Sequence, residues 1–209
     1  MTLSEQDMNN LTPNIIAALV ISLLCALLLV AARTDVRSRR IPNRLVLFGV
    51  VSGLLLNVVL PQGYGFVSAL PGALGFWKAL AGLGLGFAIL LPMYLLRAMA
   101  AGDVKLMAMI GAFLGPNATV GTIVVTFIVG GVLSLVVVLR RRTLGLLLDN
   151  LRTMLTGSFI KGAFLQQMPT IDAASVTAGK MPYGLAIALG TFSYIALEHG
   201  GHMDFLKFF

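Results

Sequence analysis

Long uncharged runs, broken by short polar segments, dominate this chain. Crossing the hydrocarbon core of a bilayer takes about 20 apolar residues in a helix. On that basis the runs predict spans at about 14–32, 45–60, 79–96, 104–115, 118–139 and 182–198. The expected fold is all-α, a polytopic membrane bundle of about six transmembrane helices, in one domain over 1–209. The second run either ends at Pro61 or continues past it, and the fourth spans only if its start carries Asp103 and Lys105 at the membrane edge. Gly115-Pro116-Asn117 is a turn signal that separates spans four and five, although a five-span reading stays open.

Composition supports the membrane reading. Hydrophobic residues make up 58% of the chain, charged residues 11%, and the mean hydropathy is +0.94; soluble domains carry about 25% charged residues. No soluble fold of this size could hide so much apolar surface. Gly82, Gly84 and Gly86 crowd the third span, and glycine recurs at 111, 115, 130 and 131. Within membrane spans, with no strand before them, these fit close helix packing rather than a dinucleotide-binding loop.

The net charge of +7 would suit nucleic acid, but the cations flank the apolar runs, so the lipid bilayer is the expected partner and nucleic acid is not. With the N-terminus outside, every Lys and Arg except Lys78 and Lys207 falls on the cytoplasmic side. The first run follows a polar segment holding Glu5 and Asp7 but no basic residue, which fits a retained span better than a cleaved signal. In the cytoplasmic loop at about 140–181, Leu144, Leu147, Leu148, Leu151 and Leu155 recur at helical spacing. They predict either an interfacial helix or one that caps the bundle.

Chemistry is scarce on this chain. Cys25 is the only cysteine and lies in an apolar run, while His199 and His202 sit together in the tail. That excludes an internal disulfide and a conventional zinc site, and it makes Ser-His or Cys-His catalysis implausible. Of the eight carboxylates, only Asp35 and Asp103 fall at cytoplasmic ends of spans, at one depth. Two carboxylates that meet cannot both ionise easily, so a shared proton makes one a base and the other an acid. Such a pair can activate water against a peptide carbonyl without metal or cofactor. The alternative is plain headgroup-level pairing, of Asp35 with Arg33 or Arg37 and of Asp103 with Lys105.

The residues around the two aspartates add a resemblance. The stretch Asp35-Val-Arg-Ser-Arg-Arg-Ile-Pro-Asn43 resembles the first signature of the prepilin peptidases. Ala100-Ala-Gly-Asp103-Val-Lys-Leu106 is similar to their GxGD box, and Met181-Pro-Tyr-Gly184 to the segment opening their last helix. The resemblance implies a GxGD-type intramembrane aspartyl peptidase with Asp35 and Asp103 as the catalytic pair. Its substrate would be a type IV prepilin or pseudopilin precursor, whose basic leader stays in the cytoplasm ahead of an apolar membrane helix. The short form looks like the peptidases of Flp-type, tight-adherence pilus systems, less like archaeal preflagellin peptidases. Nothing here matches the cysteine-paired segment of larger members, which implies cleavage without N-methylation.

Smaller roles stay open. Ala100 stands where the box has its first glycine; the helix formers around it suggest a helical, negative-φ position continuing span three. Gly102 serves either site shape and access or ordinary helix packing. Lys105 either supports the dyad or substrate, or is an interfacial lysine; Tyr183 either hydrogen-bonds near the site or anchors at the interface. Pro42 and Asn43 are expected to start and cap span two. The expected location is the bacterial cytoplasmic (inner) membrane, with the active site facing the cytoplasm. Rival functions are a proton-coupled transporter or channel, and a non-catalytic pilus-assembly protein.

Overall fold

The computed structural model describes residues 5–60, 74–96, 98–140, 145 and 183–199. Among them the chain is all helical: α1 (Glu5–Ser38), α2 (Asn43–Val59), α3 (Phe76–Leu95), α4 (Ala101–Arg140) and α5 (Tyr183–His199). Three stretches, Ala17–Ser38 of α1, α3 and α4, are long and apolar enough to cross a membrane; α2 and α5 are apolar helices of 17 residues each. Every expected span falls on a helix. The fourth and fifth are the two arms of α4, before and after Gly115. The helix predicted in the inner loop lies outside the described residues, Gly145 apart.

Gly115 has φ 77° and ψ 176°, a backbone that side-chain-bearing residues avoid, and Pro116 follows it. Helix contacts give the directions on either side. Gly82 of α3 meets Gly111 and Gly115, while Gly86 meets both Met107 and Thr119. The arm 101–114 therefore runs against α3 and the arm 116–140 runs with it, so the chain doubles back at Gly115. The same bookkeeping pairs Gly49 with Met109 and Gly53 with Phe113, setting α2 parallel to the first arm. Gly121 against Tyr194, and Gly130 against Ala186, set α5 antiparallel to the second arm. Segments thus alternate in direction, and the end of α1, the start of α4 and the start of α5 share one end of the bundle.

Lipid offers apolar side chains as good a solvent as a neighbouring helix does, so close packing and polar contacts hold such a bundle together. Gly82 and Gly111 touch backbone to backbone, and a Cβ on either would overlap the other's carbonyl. Phe113, fully buried, lies over Gly53. Asn57, also buried, donates through Nδ2 to the carbonyls of Gly53 (3.0 Å) and Ala112 (2.9 Å) and accepts from Leu74 N–H (3.2 Å). It ties α2 to α4 and to the entry of α3. Removing it strands a buried carbonyl and a half-buried N–H, a loss of about 1–3 kcal/mol in water-soluble proteins, tempered toward about 0.6 kcal/mol by competing partners in a membrane. Asn57→Ala is therefore expected to cost about 1–2 kcal/mol. Unfolding of the purified protein in mixed micelles measures this, and an unchanged midpoint would contradict it.

Candidate active site

Asp35 lies in the last turn of α1. That helix ends on Arg39, which has φ 51° and is the one side-chain-bearing residue among those described with positive φ. Arg39 N–H donates to the carbonyl of Asp35 (2.8 Å), and Ser38 Oγ donates to the carbonyl of Thr34 (2.8 Å). This is the left-handed helix stop usually built on glycine; with arginine it costs roughly 1–2 kcal/mol. The turn sends the chain into Pro42, whose φ of −64° and ψ of 126° open α2.

Asn43 does not cap α2, contrary to expectation. Pro42 occupies the cap position without a side-chain bond, and the Asn43 side chain instead accepts a hydrogen bond from Lys105 Nζ (3.2 Å). The reason is tertiary: the start of α4 packs beside the 39–42 connection, where Gly102 meets Ile41 at 3.3 Å from the place a Cβ would take.

Ala100 is not part of a helix continuing from α3. That helix stops at Leu95, and α4 starts afresh at Ala101. Ala100 takes the N-cap position, where it lacks a capping oxygen. Asp103 compensates by reaching back three residues, its Oδ2 accepting Ala100 N–H (3.2 Å) while its own N–H donates to the Ala100 carbonyl (3.1 Å). This is the acidic half of a capping box. Because φ at Ala100 is not positive, nothing in the backbone demands glycine. Ala100→Gly is expected to keep activity within about threefold and to lower stability by a few tenths of a kcal/mol. Gly102→Ala, which presses on Ile41 next to Asp103, is expected to impair activity more. Side-by-side assays check the order, and an inactive wild type rescued by Ala100→Gly would reverse it.

Both aspartates are buried, Asp35 at 7% exposure and Asp103 at 4%. They are electrostatic neighbours. Asp35 Oδ2 accepts the Gly184 N–H at 2.7 Å, across 149 residues of sequence, at the N-terminus of α5. Each carboxylate therefore sits at a helix start, where unpaired N–H groups favour negative charge. Among the described residues neither forms an ion pair: Arg33, Arg37 and Lys105 are exposed, and Lys105 turns to Asn43. Headgroup-level salt bridges are thus not what these aspartates make.

Gly184 is the site residue that sequence reasoning passed over. A Cβ there would lie 2.8 Å from Asp35 Oδ2 and 3.1 Å from its Cβ and Cγ. The signal was present, a glycine opening the last span in a segment already tied to the family, but nothing local says what it touches. Tyr183, beside it, is 46% exposed and lines a cavity; among the described residues its hydroxyl makes no bond to either aspartate. Lys105 does not reach the dyad either.

Two buried carboxylates at one end of the bundle, each accepting a backbone N–H and neither paired to a cation among the described residues, are placed to influence each other's charge. Among the described residues no cluster of His, Cys, Asp and Glu could hold a metal ion. Searches of curated proteins and of solved structures return no match to the chain. A family comparison does: residues 22–135 match the type IV leader peptidase family. That match takes in more than half of the chain and both aspartates, in a helical membrane scaffold that brings them together. The chain therefore belongs to the type IV leader peptidase family.

Proposed function

We propose that this protein is a membrane aspartyl endopeptidase that removes the leader from Flp-type prepilin or pseudopilin precursors, without methylating the new N-terminus. Membership of the family makes it a prepilin-type leader peptidase. The finer reading rests above all on one observation: two carboxylates from distant helices are buried at the same end of the bundle, and among the described residues no cation pairs with either. The ionised carboxylate takes a proton from water, and the resulting hydroxide attacks the scissile carbonyl. The protonated carboxyl stabilises the oxyanion by hydrogen bonding, and the proton then moves to the departing amine. Lack of methylation is inferred from the single cysteine, Cys25, which lies within α1 and has no second cysteine to pair with.

The bacterial inner membrane is the proposed location, with the N-terminus outside and the dyad at the cytoplasmic face. Exposed Arg33, Arg37, Arg39, Arg40, Arg44 and Lys105 surround the dyad end of the bundle, where cytoplasmic loops collect basic residues. A transporter reading would want a carboxylate at mid-depth, and the described aspartates lie at helix ends.

The test is cleavage of a Flp-type precursor by the purified protein, read by the shift in precursor size and by the mass of the new N-terminus. Cleavage without a methyl group is the expected result; an intact precursor would favour the non-catalytic assembly role. Orientation is checked in the Cys25→Ser background. Ser38→Cys and Thr170→Cys are expected to resist an impermeant thiol reagent in intact cells, and Gln62→Cys to react. The reverse pattern would put the dyad on the wrong side for a cytoplasmic leader.

A further inference from the structure

Asp103 stands between two contacts that the first turn of α4 makes with one short piece of chain. On one side Gly102 lies against Ile41, 3.3 Å from the place a Cβ would take. On the other, Lys105 Nζ donates to Asn43 Oδ1 at 3.2 Å, across 62 residues of sequence. Ile41 lies in the connection that leaves Asp35, and Asn43 is the first residue of α2 beyond it. Arg39 N–H ties that connection to the Asp35 carbonyl at 2.8 Å. A closed path therefore runs from Asp35, through the connection, to the first turn of α4 and Asp103. Among the described residues no hydrogen bond joins the two carboxylates directly, so their separation is set by what holds α1 and α4 together at this end.

Both partners of the Lys105–Asn43 bond forgo a nearer one. Asparagine at a helix start commonly turns its oxygen to the open N–H groups there, yet α2 begins without a side-chain cap. Lys105 is exposed, and its flexible stem can carry the ammonium to headgroups or water. Instead the ammonium bonds the Asn43 amide oxygen, and among the described residues it bonds neither aspartate.

We infer that Lys105 and Asn43 are a positioning pair: their bond, together with Ile41 against Gly102, clamps the first turn of α4 to the α1–α2 connection and so fixes Asp103 relative to Asp35. This rests on the aspartyl peptidase reading. Lys105 acts through Asn43, by place rather than by charge. A misplacement of about 1 Å costs a reacting group on the order of 10²-fold. Releasing one of the two contacts, with Ile41 still seated on Gly102, gives a smaller loss.

The test uses the full-length protein in lipid nanodiscs, a Flp-type precursor, and the variants Lys105→Met, Asn43→Ala, the two combined, and Lys105→Arg. Each of the first two is expected to lower kcat about tenfold with KM within about threefold. The combined variant is expected to lose no more than about twofold beyond either single one, because both remove the same bond. Lys105→Arg keeps a donor for the Asn43 oxygen and is expected to hold kcat within about threefold of wild type. The pH–rate profile separates place from charge. Interaction between two carboxylates holds their two proton losses apart, so moving them apart narrows the bell, its alkaline limb falling to lower pH. Loss of a cation alone moves both limbs to higher pH. The other titratable groups described at this end, Arg33 and Arg37 on α1, Arg39, Arg40 and Arg44 around Pro42, Tyr94 on α3, Arg140 on α4 and Tyr183 on α5, are kept in every variant. A narrowed bell is expected for both Lys105→Met and Asn43→Ala. Both limbs rising in Lys105→Met with Asn43→Ala unchanged overturns the pair. So do losses that multiply in the combined variant, an unchanged kcat in the single ones, or losses matched by a fallen unfolding midpoint. No cleavage by wild type overturns the peptidase reading and the pair with it.

Discussion

Asp35→Asn and Asp103→Asn are each expected to lower precursor cleavage by roughly 10²–10⁴-fold, the usual weight of a positioned acid or base. The protein should otherwise be undisturbed. An asparagine carbonyl can still accept the Gly184 N–H at position 35 or the Ala100 N–H at position 103, the only hydrogen bonds these carboxylates make among the described residues. Among the described residues no counter-cation would be stranded by the loss of charge. An amide, however, can neither take a proton from water nor share one. The two groups act as a unit, so the double substitution should lose little more than either single one. Near-normal cleavage by one variant would remove that aspartate from the chemistry; equal, additive losses would argue for two independent roles. Unfolding midpoints measured beside the kinetics separate a dead site from an unfolded protein.

Gly184→Ala carries the second large effect, and it tests tertiary geometry rather than a catalytic group. The added methyl would sit 2.8 Å from Asp35 Oδ2 and 3.1 Å from Cβ and Cγ, too close for any of them to stay put. Alanine is itself favourable in a helix, by about 0.5–1 kcal/mol over glycine, so the helix should survive and the carboxylate should move. A shift approaching 1 Å costs a catalytic group on the order of 10²-fold. The expected result is kcat lower by about 10–100-fold with KM within about threefold. Activity within twofold of wild type would mean that Asp35 does not work from the position held by Gly184.

Helices and lipid exposure were legible because the bilayer imposes a simple rule on the sequence. A span must be apolar for its whole length, and the runs that satisfied this all fell on helices. Gly115 was readable for a similar reason, since Gly-Pro-Asn breaks a helix wherever it occurs, and there the chain doubles back. Ala100 was misread as helix because propensity sees four good helix formers in a row. The helix in fact restarts there, with Asp103 supplying the cap that alanine lacks. Arg39 in a left-handed turn and Asn43 bonded to Lys105 rather than to its own helix left no local trace.

By itself, then, the sequence determined an apolar helical bundle, the approximate limits of its described helices, and two aspartates at helix ends, because hydropathy and charge placement are properties of each residue and its neighbours. Only the tertiary structure decided which partners those aspartates have. Gly184 meets Asp35 from 149 residues away, Asn57 bridges α2, α4 and the entry of α3, and Gly82 and Gly111 let two backbones touch. Contacts of this kind depend on the directions and register of whole helices, which are set by how small and large residues on different segments interlock. No stretch of chain carries that information alone.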